Sequence, residues 1–146
     1  KGEKMRKILL RIVSLMVIGA TTLFAGATPE IAPNGVKIIS PADAKLIVST
    51  SQVFDVRKAI NFGKGHVTNG VSLPVNWVNK KLPHEKRDLK FKTKKMPTDV
   101  NATIIVYSDG ITGWKSYHFS RILAEKGFKN VSWMREGYNG WKKAGY

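Results

Sequence analysis

Ser108 closes a run of β-branched and aromatic residues, Thr103-Ile104-Ile105-Val106-Tyr107, and opens a loop of small and polar residues, Asp109-Gly110-Ile111-Thr112-Gly113. Trp114-Lys115-Ser116-Tyr117 then starts a helical pattern. A buried strand, a tight loop and a helix N-terminus together make an anion cradle, because unpaired backbone N–H groups and the positive end of the helix dipole point at one spot. Ser108 stands where a nucleophile would stand in such a design. Asp109, Gly110, Ile111, Thr112, Gly113, Trp114 and Lys115 are the candidate anion-binding residues, and Lys115 is the cation among them. Asp55, Arg57 and His66 are candidate supporting residues: the first two close a strand pattern, and the third lies in the loop Gly65-His66-Val67.

Residue chemistry narrows what such a cradle can do. A serine hydroxyl stays protonated near neutrality unless a base activates it. No His–Asp relay stands beside Ser108; His118 is ten residues on, in a helical register that turns it away from the loop. The chain has no cysteine, which excludes disulfides, thiolate metal sites and cysteine nucleophiles. His66, His84 and His118 show no ligand spacing, so neither a metal nor a cofactor is expected. Each candidate also has an ordinary structural reading. Asp55 and Arg57 read equally as a salt bridge fixing a strand end, His66 as a hydrogen bonder pinning its loop, and Lys115 as a solvent-exposed lysine. Trp114 reads as pocket wall or core, and Trp77, Trp133 and Trp141 read as core.

The elements that must position these residues alternate between strand and helix. Strands are expected at 36–39, 53–57, 71–73, 103–107 and 131–134. Thr103–Tyr107 is the central one, apolar on both faces as parallel strands are. Ser40-Pro41 is a strong helix start, an N-cap followed by proline at the first helical position, and that helix runs to about Ser49 with Ala44, Leu46, Ile47 and Val48 as its apolar side. A short helical turn over 58–62 ends at Gly63, and another covers 76–82. Trp114–Lys126 is amphipathic, with Phe119, Ile122 and Leu123 on one side and Gly127 as its C-terminal cap. A last helix spans 137–144. The fold class is therefore α/β, a central, largely parallel five-stranded sheet flanked by helices. Ligands bind such sheets at the carboxyl ends of the strands, where the 108–113 loop falls.

The chain of 146 residues suffices for one domain with a sizeable core. Its 25 basic residues against 10 acidic ones give a net charge of +15, a balance that fits nucleic acid, anionic lipid or small anions, or solubility alone. Residues 1–27 read as a secretory signal: Lys4, Arg6, Lys7 and Arg11 precede the uncharged run Ile12–Ala27, which ends in Ala25-Gly26-Ala27. That run is shorter than the roughly 20 residues of a spanning helix. Cleavage near Ala27, and a periplasmic or secreted protein, are expected, with membrane contact only through the signal. Residues 1–27 hold five basic residues and one acidic residue, so the remainder keeps a net +11. Residues 28–35 read as a flexible lead-in and 36–146 as the domain. The segment 80–95 holds eight basic residues against Glu85 and Asp88. It reads as a solvated surface helix and loop, with an anion-steering or docking patch as the alternative. Phe91 is its only aromatic residue, so it offers no stacking platform, and nucleic acid is not an expected partner.

Three blocks resemble a single-domain rhodanese, a sulfurtransferase. Phe54-Asp55-Val56-Arg57, followed by Gly65-His66-Val67 and Gly70-Val71, resembles the family's N-terminal signature. Ile104–Ser108 resembles the active-site strand, where the family has Tyr-Cys. Gly127-Phe128 with Asn130-Val131, then Glu136-Gly137, Trp141 and Ala144-Gly145, resembles the C-terminal signature. The loop is similar to that of exported members with the pattern Tyr-Cys-Asn-Gly-Pro-x-Cys-Trp-x-Ser-Tyr. Gly110, Trp114, Ser116 and Tyr117 match it, and Ser108 and Gly113 occupy its two cysteine positions. The resemblance implies sulfur transfer through a cysteine persulfide, with a small anion such as thiosulfate as ligand and a protein as sulfur acceptor. With Ser108 at the nucleophile position, no thiosulfate turnover is expected. The alternative is an exported, non-catalytic module that binds an oxyanion or a sulfur species.

Overall fold

The computed structural model describes residues 26–146; most of the expected signal segment lies outside them. Five strands, β1 (Val36–Ile38), β2 (Gln52–Asp55), β3 (Gly70–Ser72), β6 (Thr103–Tyr107) and β7 (Asn130–Met134), form one sheet in the order β1-β7-β6-β2-β3. Every pairing in it is parallel. The two-residue strands β4 (Asn76–Trp77) and β5 (Leu89–Lys90) pair separately and antiparallel. Helices α1 (Pro41–Ile47), α2 (Ala59–Lys64), α3 (Trp114–Glu125) and α4 (Gly137–Lys143) complete the fold.

The period-two alternation of the strands sorts the core into two layers. Phe54, Ile104, Val106 and Val131 meet Phe119 and Leu123 of α3. Val53, Ile105, Tyr107 and Met134 meet Ala44 of α1, Val48 at its C-terminal cap and Trp141 of α4. β6 is central, which explains its apolar stretch Ile104–Val106: both its faces are covered, and Ile104 to Tyr107 are all 0% exposed.

Local chemistry sets the ends. Ser40 Oγ accepts from the Asp43 amide, with Pro41 in the first turn of α1, as its sequence suggests. Gly127, at φ +93°, follows the C-terminal end of α3, and the amide of Phe128 returns to the Leu123 carbonyl.

Some elements differ from the sequence reading. Leu46 lies on the outer side of α1, 79% exposed, because this short helix buries only Pro41 and Ala44. Helix α2 continues through Gly63 to Lys64, and Gly65 rather than Gly63 ends it. The expected turn at 76–82 begins as extended chain, since Trp77 pairs with Leu89. Trp77 is accordingly half-buried rather than core. The basic 80–95 segment holds two 3-10 turns, at His84–Lys86 and Thr93–Lys95, with β5 between them, and no α-helix.

Candidate functional site

The loop between β6 and α3 is held from three sides. From within, the Gly113 amide donates to the Gly110 carbonyl and the Ser116 and Tyr117 amides to the Gly113 carbonyl. Ser116 Oγ also donates to Gly113 O and accepts from Trp133 Nε1 at 3.0 Å, which ties the start of α3 to β7. From below, α4 receives the loop: the Tyr138 amide donates to Ser108 O and the Asn139 amide to Asp109 O, both at 2.9 Å. Gly137 permits that approach. A Cβ there would stand 2.5 to 2.6 Å from Ser108 O, Asp109 C and Gly110 N, and its φ is +60°. Gly137→Ala is expected to cost roughly 2–5 kcal/mol, combining a left-handed backbone cost of about 1–2 kcal/mol with overpacking of about 1–3 kcal/mol. It should also weaken anion binding; chemical denaturation and an anion titration on the same variant check both.

The third hold comes from the chain's N-terminal side. Thr28 is 3% exposed. Its amide and Oγ1 both donate to Ile111 O, at 2.8 and 2.6 Å. Arg135 donates to Thr28 Oγ1 and Thr28 O, and Trp114 Nε1 donates to Gly26 O at 2.9 Å. The start of the expected flexible lead-in is therefore strapped onto the loop.

Asp55, at 0% exposed, and Arg57 lie at the end of β2, next to Tyr107. Arg57 Nε donates to both oxygens of Asp55 at 3.0 Å, and Nη2 donates to Oδ2 at 2.6 Å and to Gly65 O at 2.7 Å. Tyr107 Oη donates to Asp55 Oδ2 and accepts from the Val67 amide. Burial by itself would lower the Arg57 pKa; the hydrogen bonds and charge of Asp55 outweigh it, and the net direction is up. Burial first, then the neighbouring carboxylate, push Tyr107 well above the usual phenol range, so it remains a donor. The pair is thus a structural bridge, and Arg57 also lines the site cavity.

That cavity, about 270 Å³, opens above Ser108 and Gly113. Arg57, Lys58 and Lys115 supply positive charge, and Trp77, His84 and Trp114 supply walls. The ring of His84 stacks near Trp114, with centroids 6.1 Å apart, and its Nδ1 lies 3.3 Å from Arg87 Nη1. Of the predicted site residues, Ser108, Asp109, Thr112, Gly113, Trp114, Lys115 and Arg57 meet here. Gly110 is buried in the loop and Ile111 is turned outward. His66 stays outside: its Nδ1 faces Phe62 O and its ring stacks on Phe62 at 3.8 Å. His118 Nε2 bonds His84 O, away from Ser108. Lys58, Asn61, Trp77 and His84 join only through the fold. Lys58 and Asn61 carried a faint signal, being polar residues just past a strand end.

A Cβ at Gly113 would lie 2.8 Å from Ser108 Cβ, so positions 108 and 113 abut. Burial and the nearby Lys58 hold the Lys115 ammonium below its usual range. An anion held in the cavity through Lys115 would need that ammonium charged. Anion affinity is therefore expected to fall with rising pH at values below the ordinary lysine pKa of 10.5. Thiosulfate titrations from about pH 7 to about pH 10 check this, and Lys115→Gln should flatten the slope.

The family profile of the rhodanese-like domain matches residues 40–144. No curated protein sequence matches the chain. Solved structures share its fold. A rhodanese-related protein from Thermoplasma volcanium is 22% identical with a TM-score of 0.52, over 75% of this chain and 94% of that one. The Alr3790 protein from Anabaena sp. is 19% identical with a TM-score of 0.54, over 73% and 77%. A thiosulfate sulfurtransferase from Pseudomonas aeruginosa is 18% identical with a TM-score of 0.51, over 75% of this chain but only 19% of that longer one. With the profile matched over most of its length and a parallel five-stranded sheet presenting the loop after its central strand, this chain belongs to the rhodanese-like domain family.

Proposed function

We propose that this chain is a rhodanese-like domain of the thiosulfate or persulfide sulfurtransferase type that binds a small sulfur oxyanion over Ser108 and, with serine there, does not turn it over. The observation that carries the reading is the cavity itself: Ser108 and the loop form one side, and Arg57, Lys58 and Lys115 line it. Three cations with one facing carboxylate, Asp109, suit a dianion. The hydroxyl cannot form a persulfide. The histidines nearest in sequence and space, His118 and His84, have their polar contacts with a backbone carbonyl and with Arg87, so among the described residues no histidine is arranged to activate Ser108.

A second reading is an exported module that holds an oxyanion or sulfur species for a protein acceptor without chemistry. It is favoured by an anion cradle that is complete without any thiol. Export itself belongs to this proposal and rests on the signal pattern of residues 1–27. Cleavage after Ala27 would remove Gly26, whose carbonyl holds Trp114 Nε1, and leave Thr28 as the first residue; N-terminal sequencing of exported protein tests it.

A thiosulfate titration followed by amide NMR shifts tests the binding site. Shifts are expected at residues 109–115, and Lys115→Ala should weaken binding about tenfold, about 1.4 kcal/mol. Absence of shifts there would overturn the anion reading.

A further inference from the structure

The guanidinium of Arg57 reaches beyond the cavity above Ser108. Its side chain is 4% exposed. Nε and Nη2 are used by Asp55 and Gly65 O. Nη1 is the nitrogen left over. Its counter-charge is Asp109 Oδ1 at 3.8 Å, beyond hydrogen-bond reach. Nη1 therefore has no protein acceptor among the described residues and, since no buried polar side-chain atom there lacks a partner, it is the solvent-facing end of an otherwise buried guanidinium. The Asp109 carboxylate is 59% exposed, a weakly held partner that solvent screens.

Arg57, Asn61 and Asp109 line two cavities at once. One is the site above Ser108; the other, about 260 Å³, lies between α2 and α4. The second is lined by Lys64 and Asn61 from α2 and by Lys142 and Asn139 from α4. Among the described residues neither lysine has a carboxylate within 4.0 Å. Lys142 Nζ lies 5.0 Å from the centre of the Tyr138 ring, and the Arg57 guanidinium carbon lies 4.4 Å from it. Both cations lie near this ring, and all three residues line the cleft. Among the described residues Asp109 is the only acidic one lining either cavity.

We propose that the cleft between α2 and α4 is a second anionic subsite, which takes the far carboxylate, sulfonate or phosphate group of a small molecule whose first anionic end lies over Ser108. Arg57 Nη1 serves as the shared donor at the junction, and the incoming anion displaces Asp109 from it. Lys64 and Lys142 hold the far group. The inference rests on the anion reading of the Ser108 cavity and deepens it: the ligand class is a two-anion molecule rather than a lone oxyanion.

The probes are methanesulfonate, thiosulfate and alkanedisulfonates of increasing chain length, titrated at physiological salt. One length of disulfonate is expected to bind at least about tenfold more tightly than methanesulfonate. Lys64→Ala with Lys142→Ala should abolish that gain and leave methanesulfonate within about twofold, a change of under about 0.5 kcal/mol. Lys92→Ala with Lys94→Ala, which removes the same charge elsewhere, should leave the gain intact. Disulfonates that bind no better than methanesulfonate at every length, or a gain lost equally in both double variants, would overturn the subsite. Failure of the anion reading looks different: neither methanesulfonate nor thiosulfate would shift residues 109–115, and the subsite would fall with it.

Discussion

Ser108→Cys is expected to raise thiosulfate-to-cyanide sulfur transfer from background to measurable turnover, a gain on the order of 10³-fold or more, since losing the nucleophile of a covalent mechanism costs up to about 10⁶-fold. The change replaces one atom on a side chain that already borders the cavity. The helix N-terminus, Lys58 and Lys115 favour the thiolate over the thiol. The thiolate attacks the outer sulfur of thiosulfate, the sulfur–sulfur bond breaks, and sulfite departs with its electron pair toward the same cations. Cyanide then takes the outer sulfur from the persulfide as thiocyanate and regenerates the thiolate. Intact-mass measurement should find one added sulfur atom on the variant after thiosulfate alone. If the folded variant neither gains sulfur nor turns over, the loop is a binding site only, and the non-catalytic module is the better reading. Turnover by the serine chain would remove the requirement for a thiol.

Asp55→Ala is expected to destabilise the fold by about 3–5 kcal/mol, the cost of leaving a buried charge without its partner. The carboxylate is fully buried and accepts from the Arg57 amide, Nε and Nη2 and from Tyr107 Oη. Its loss strands the guanidinium of Arg57 and the phenol of Tyr107 together. Tyr107→Phe should cost less, about 1–3 kcal/mol, because it leaves the ion pair intact and orphans only the Val67 amide and one carboxylate lone pair. Asp55→Leu combined with Arg57→Met should recover most of the stability, since neither charge remains to be desolvated, while losing anion affinity at the cavity. Urea unfolding of the three variants checks the order. A loss under about 1 kcal/mol for Asp55→Ala would show that the bridge is not what holds this strand end.

Bridge and cavity wall are compatible positions for Arg57, while Asp55 serves only in the bridge and does not line the cavity. Asp55 occupies Nε and Nη2 of Arg57, and Arg57 still lines the cavity. A guanidinium has enough donors for both tasks, whereas a lysine at 57 would have one point charge to divide. Trp114 is a similar case, buried and yet a wall of the cavity. The reading of Trp77 as core failed for a different reason. Its segment follows Pro74 and is short, so helical and extended patterns cannot be told apart there by periodicity; pairing with Leu89, twelve residues on, decided it.

The chain by itself determined its central strand, the loop after it and the helix that follows, because burial on both faces, small loop residues and helical spacing are local patterns. It also determined the absence of a thiol at positions 108 and 113, and with it the limit on chemistry. Only the tertiary structure decided who faces Ser108. Lys58, Asn61, Trp77 and His84 come from the N-cap of α2, α2 itself, β4 and a 3-10 turn, each more than twenty residues before Ser108 and linked to it by no spacing rule. Thr28 and Gly26, more than eighty residues from the loop they hold, bear no local mark of that role. For the first group the physical reason is that parallel strands are joined by crossovers, so the residues that follow their carboxyl ends converge in space while staying far apart along the chain; Gly26 and Thr28 precede β1 and reach the loop only through long-range hydrogen bonds to Trp114, Ile111 and Arg135.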